Sequence, residues 1–238
     1  MSDSLQRLLQ LQERDIAADQ LRHRKATLPD RAALAERRSA ITALDADRAE
    51  VAGRLADTER VQKRLEDEVA SVADKHTAEH TRLYSGSITS PRELQALQEE
   101  IDALARRQRE LEDELLEVME AAEPLAAEVA SLDERRVALT ADAEALQAAI
   151  GEAERAIDGE LAGVGSERDA IAADLSPELV TTYDRLRARL GGVAVARLEG
   201  AQCLGCHLSL PATEIDAIRH APPDAVVMHE ECGRILVR

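Results

Sequence analysis

Hydrophobic positions recur at alternating steps of three and four residues from Ile41 to Ile157. From Ile41 the steps reach Leu44, Arg48, Val51, Leu55, Thr58, Gln62, Leu65, Val69, Val72, His76, Glu79 and Leu83. From Leu94 they reach Leu97, Ile101, Leu104, Gln108, Leu111, Leu115, Val118, Ala122, Leu125, Val129 and Leu132, then run through Arg136, Leu139, Ala143, Leu146, Ile150 and Ala153 to Ile157. The residues between are mainly Ala, Arg, Asp and Glu. This is the narrow seam of a coiled coil, and a seven-residue repeat held this long predicts a left-handed supercoil. An earlier stretch with Leu5, Leu9, Ile16, Leu21 and Leu28 is helical but less regular, and Pro29 should kink or restart the helix there. The second seam passes Pro124 without a slip, which predicts a kink and not a break.

Between the two seams, residues 84–90 read as a tip loop. Ser90, Pro91 and Glu93 form an N-cap, a first-turn proline and a capping box for the second helix. A short turn between stretches of similar length predicts an intramolecular antiparallel hairpin. Arms of about 75 residues at 1.5 Å per residue would make a rod of roughly 110 Å. Folding about Ser87 would set Leu5 opposite Asp169. Gly159, Gly163 and Gly165 should weaken the helix before a short helical piece at 168–174. Ser176-Pro177-Glu178 opens another helix through about Leu190, ended by Gly191-Gly192. Beyond it lie strand-like runs at 193–198, 207–210, 225–228 and 235–237, with a helical turn near 213–220 and a loop at 221–224.

The fold class is therefore mainly α: a long antiparallel helical hairpin over residues 1–175, then a linker helix and a small C-terminal β module over 176–238. Composition sharpens this. The 238 residues include no Phe, no Trp and only two Tyr, so no aromatic side chains are available to anchor a large globular core. The formal charge is −17, which repels nucleic acid and anionic membrane. From Pro177 onward there are eight acids and seven bases, so the acidity belongs to the helical part. The segment Met1–Arg7 lacks the apolar core of a signal peptide, and no apolar run approaches the length of a membrane span. A cytoplasmic location is expected.

All three cysteines fall in the last thirty-six residues. An odd count with close spacing points away from a disulfide framework. Cys203-Leu204-Gly205-Cys206 and His229-Glu230-Glu231-Cys232 each set two ligands three positions apart, and two such turns make a tetrahedral site. Three thiolates and one imidazole suit a single structural Zn2+ with no open position. The segment is also too small to hold a core without such a cross-link. His207 is the other candidate for the fourth ligand. It directly follows Cys206, and adjacent residues seldom turn to one ion, so His229 is preferred. Were neither histidine to bind, three thiolates and a water would resemble an open catalytic site; Glu230 and Glu231 read as exposed loop carboxylates.

These residues resemble a bacterial family of coiled-coil zinc-ribbon proteins of the four-cysteine type. The likeness rests on 83–86 with 91–101 (PRELQALQEEI) at the tip, Leu28-Pro29, Cys203-Leu204-Gly205-Cys206-His207-Leu208, and Cys232-Gly233-Arg234-Ile235-Leu236. The resemblance implies a bent helical hairpin carrying a zinc ribbon, and adaptor or chaperone roles. Relatives include a flagellar-biogenesis regulator, which binds an alternative sigma factor and a flagellin transcript, and proteins that act with type III secretion components. It implies protein partners in transcription or secretion machinery. The chain departs from the family at His229, where the family usually has Cys.

Three classes of function follow. The first is a non-enzymatic adaptor that meets protein partners through the ribbon and through Tyr84 and Ile88 at the tip. The alternative is a regulatory protein whose ribbon binds RNA or DNA through Arg185, Arg187, Arg189, Arg197, Arg219, Arg234 and Arg238. Against it stand a nearly neutral module, an acidic stalk and only Tyr183 nearby for base stacking. An enzyme has least support. The chain carries no phosphate loop, no Gly-x-Ser-x-Gly and no His-Glu-x-x-His. His23, His76, His80 and His220 lack catalytic partners, and His76 joins Arg48, Gln62, Gln108 and Arg136 as a polar seam residue that sets register. Neither a membrane nor a small-molecule substrate is expected as a partner.

Overall fold

The computed structural model describes residues 3–222 and 225–238. Part of the expected 221–224 loop, Pro223-Asp224, lies outside the described residues, as do the first two residues. The elements in order are α1 (Asp3–Ala26), α2 (Pro29–Tyr84), α3 (Pro91–Ala173), α4 (Pro177–Arg189), β1 (Val195–Glu199), β2 (Gln202–Cys203), α5 (Ala212–His220), β3 (Val227–Met228) and β4 (Ile235–Val237). The architecture is mainly α, with long helices paired as a coiled-coil hairpin and one small C-terminal sheet. Among the described residues, no helix is long and apolar enough to cross a membrane. The chain packs as two units: Ala33–Ala145, and Leu146–Arg238 together with the chain up to Ala32.

In the Ala33–Ala145 unit the predicted seam is buried or half-buried, apart from the exposed Arg136. Leu44, Val51 and Leu132 form a cluster, flanked by Leu125, Val129 and Leu139. Leu65, Leu97, Ile101 and Leu111 are buried along the same line. Two polar seam residues are used reciprocally. The Arg48 guanidinium donates to both oxygens of Asp133 at 2.5 and 3.0 Å, and Arg136 Nε donates to Asp45 at 2.6 Å. Each helix thus carries Asp-x-x-Arg just after a buried leucine, Leu44 or Leu132, and the two copies pair in antiparallel register. The hydrogen bond from Arg48 holds the Asp133 carboxyl below the ordinary carboxylate range.

Some local expectations hold and others change. The break at Pro29 is a restart, because α1 ends at Ala26 and proline opens α2. Pro124 lies inside α3 without ending it. The helix also runs unbroken through Gly159, Gly163 and Gly165, so the expected weakening there does not occur. A glycine inside a helix costs only about 1 kcal/mol, and seam packing at Ile150 and Ile157, both buried, outweighs it. Ser90 does mark the start of α3, its carbonyl accepting from Leu94 N–H at 3.0 Å. Among the described residues its hydroxyl and the Glu93 carboxylate make no capping bond, whereas the Ser176 hydroxyl does accept from Leu179 N–H.

The second unit joins α1, the end of α3, α4 and the sheet. Leu5, Leu8, Leu9 and Leu11 of α1 share a core with Leu175, Tyr183, Leu186, Val195, Ile235 and Val237. Leu5 therefore belongs with Leu175 and does not face Asp169. Side-chain layers set the pairing, and the midpoint of the tip loop does not. The sheet has the order β2-β1-β4-β3, with β1 and β4 parallel and the outer pairs antiparallel. Its period of two divides the strands: Val195, Ile235 and Val237 face the helices, while Ala196 and Leu236 join Cys203, Leu210 and Ile218 in a second core with α5. The run at 207–210 is not a strand. It contributes one isolated bridge, Ser209 to Gln202, and the strand before it is the unforeseen β2.

Buried Gln12 joins α1 to β1. Its Oε1 accepts from the N–H groups of Ala194 and Val195, each at 2.7 Å, and its Nε2 donates to the Val195 carbonyl at 2.8 Å. One side chain thus completes the start of a strand. Removing it strands two buried donors and one acceptor. Gln12→Leu should lower the stability of this unit by about 2–3 kcal/mol, read as a reduced urea midpoint from the fluorescence of buried Tyr183. An unchanged midpoint would show that these backbone groups find other partners.

Candidate metal centre

Two turns of the same geometry build the centre. In the first, Cys203 N–H donates to Leu208 O at 3.0 Å and His207 N–H to Cys203 O at 2.8 Å. In the second, His229 N–H donates to Arg234 O at 2.9 Å and Gly233 N–H to His229 O at 2.8 Å. The fifth position of each turn is left-handed, with φ 63° at His207 and 68° at Gly233. His207 therefore occupies a place that glycine fills in the other turn, and its side chain is exposed. Gly205 is required for a different reason. A Cβ there would lie 2.6 Å from Arg234 Cδ and 2.8 Å from Ala196 Cβ, so the two turns could not approach.

These turns bring Cys203, Cys206, His229 and Cys232 together, with one donor atom from each lying within 4.8 Å of all the others. His229 is fully buried, and its Nδ1 stands 3.4 Å from Cys206 Sγ and 3.1 Å from Cys232 Sγ. Its Nε2 is buried with no hydrogen-bond partner among the described residues. His207 is not part of the group. Glu230 and Glu231 are exposed, as expected of loop carboxylates.

The thiols are poised unequally. Burial pushes the Cys232 thiol up, but hydrogen bonds from the Arg234 backbone and side chain, His229 and Cys206 outweigh it and bring it down to about 7. Burial raises the Cys206 thiol; Leu208 N–H partly opposes this, while Cys232 and Cys203 add to it. Three converging sulfurs that compete for protons, with an imidazole nitrogen facing them, are a donor set completed by a cation. The residues fit zinc: Sγ of the three cysteines and Nδ1 of His229 would hold one ion, which would act as a structural cross-link with its four places filled by protein.

Sequence reasoning missed the polar network beside this module. Tyr183 OH donates to Asp15 at 2.8 Å, Arg168 donates to Asp15 and to Asp184 at 3.2 and 2.8 Å, and Arg187 pairs with Asp15 and Asp19. Burial, then the bond to Asp15, pushes the Tyr183 phenol well above its ordinary range. Tyr183 is fully buried and offers no surface for stacking. At the tip, Tyr84 is 75% exposed and Ile88 is half-buried.

Residues 11–191 match the family described as the CT398-like coiled coil hairpin domain, and residues 202–236 match the C4-type zinc ribbon domain. The chain belongs to the CT398-like coiled-coil hairpin family. An uncharacterized protein of Mycobacterium tuberculosis is 36% identical over 231 residues, covering 97% of this chain and 94% of the relative. A solved structure from Mycobacterium smegmatis superposes with a TM-score of 0.86 at 29% identity, covering 99% of this chain and 97% of that one. CT398 from Chlamydia trachomatis superposes with a TM-score of 0.67 at 25% identity, covering 98% and 97%. Neither matched family is an enzyme family. The ribbon match is to a four-cysteine type, and here the third ligand position in chain order is His229.

Metal content of protein purified without added metal checks the ligand set. Wild type should hold about one zinc per chain, His229→Ala should lose or weaken it, and His207→Gly should keep it. The glycine also removes a left-handed non-glycine residue, which costs about 1 kcal/mol. Zinc retained in His229→Ala and lost in His207→Gly would reverse the assignment.

Proposed function

We propose that the protein is a non-enzymatic, chaperone-like adaptor of the cytoplasm, which holds protein partners at the tip of its helical hairpin and at its ribbon. Zinc keeps the ribbon in shape and does no chemistry. The observation that carries this reading is Tyr84: one of only two tyrosines, it stands at the last position of α2, largely exposed, with its ring 4.9 Å from that of His80. A rigid aromatic at a helix end is a suitable anchor for a protein contact. The ribbon adds exposed apolar side chains on both turns, Leu204 and Leu208 at the first, Val226 and Met228 before the second. Partners in transcription or secretion machinery fit the resemblance of the tip and ribbon motifs.

The nucleic-acid reading has less support. Arg187 is engaged by Asp15 and Asp19, Arg234 donates to the Val193 carbonyl at 3.0 Å, and Arg238 donates to the carbonyls of Ile218, Ala221 and Pro222. Three of the seven arginines are thus occupied inside the fold, and Tyr183 cannot stack on a base. What remains is a nearly neutral surface beside an acidic chain.

A pull-down comparing wild type with Tyr84→Ala, Ile88→Ser tests the tip. The variant should keep its zinc and helical content and lose at least one partner bound by wild type. An identical partner set would remove the tip from this reading.

A further inference from the structure

We propose that His76 and His80 form a second metal site, on the face of α2 one to two turns before the tip, that takes a first-row divalent ion such as Ni2+, Cu2+ or Zn2+. The two residues are four apart on one helix, a spacing that puts imidazoles on the same face within reach of a single ion. Their rings are already paired: the centroids lie 6.1 Å apart and the planes differ by 27°. Neither imidazole is engaged in a hydrogen bond or ion pair among the described residues, so a lone pair on each is available without breaking a polar contact. Tyr84 packs on His80 from the side away from His76, with ring centroids 4.9 Å apart, and limits the orientations His80 can take. His80 is exposed and His76 half-buried, so an ion reaches the pair directly from solvent. The chain's net charge of −17 draws cations towards its surface.

The local order is His76-Thr77-Ala78-Glu79-His80, the His-x-x-Glu-His order by which some helical zinc enzymes present two ligands and a base. Here the chemistry stops at binding. The Glu79 carboxylate is paired with Arg82 at 3.4 Å. Among the described residues, the ribbon quartet is the only group of three or more potential ligands. The tip pair therefore supplies two ligands, and water fills the remaining places. Two imidazoles with water suit borderline ions and give copper the highest affinity of the series. Since the two ligands are aligned only while this turn is helical, binding also stiffens the end of α2.

The experiment uses the untagged, zinc-loaded full chain titrated with Ni2+ by calorimetry, so that the ribbon site is already filled. Wild type should take up one Ni2+ per chain, with an affinity at least tenfold above that of His80→Asn or His76→Asn. His23→Asn and His220→Asn should bind as wild type does. His80 is exposed, so its replacement leaves the seam intact, and circular dichroism of each variant verifies this. Equal Ni2+ affinity in wild type and His80→Asn, or uptake abolished only by His23→Asn or His220→Asn, would overturn the site.

Discussion

The C-terminal module depends on one constraint: four donor atoms from two separate turns must lie within 4.8 Å of one another. Left to themselves, three sulfurs at that separation compete for protons and repel once ionised. A divalent cation turns the same crowding into attraction. The module has little else to hold it, since its strands are two to five residues long. The close approach of Gly205 to Arg234 and Ala196 is what lets the turns meet, and the left-handed fifth residue of each turn lets the chain leave again. Zinc thus supplies the cohesion that a core this small cannot.

The module is nevertheless not self-sufficient. Its sheet is covered on one side by α5 and on the other by leucines from α1, more than 180 positions earlier in the chain. Gln12 does for β1 what another strand would do, satisfying both N–H groups at its start and one carbonyl. The Tyr183–Asp15 bond, with Arg168 and Arg187 around it, then places α4 against the same helix. These contacts make α4 part of the core, and they commit Arg187 to holding the fold.

The legibility of these features in the sequence follows the range of the interactions behind them. The seam was readable because its residues repeat every seven positions, and the metal quartet because each pair of ligands sits within one turn. The break at Pro29 and the cap at Ser176 were readable for the same local reason. Gln12, Asp15 and Tyr183 were not, because an isolated polar residue in a helix carries no sign of a partner 168 or 183 positions away. The tip's midpoint does not give the register, whereas the matched Asp-x-x-Arg pairs at 45–48 and 133–136 do. β2 was missed because two residues are too few to show alternation. His207 was set aside for its adjacency to Cys206; its left-handed backbone supplies the physical reason.

The central claim is that zinc holds the ribbon together while the helical hairpin stands by its own packing. Hydrogen exchange on the full chain, zinc-loaded and after chelation, addresses it most directly. The account predicts that amides of β1 and β4 lose their protection on zinc removal, while seam amides around Leu44, Val51 and Leu132 keep theirs. Protection of β1 and β4 that survives chelation would contradict it.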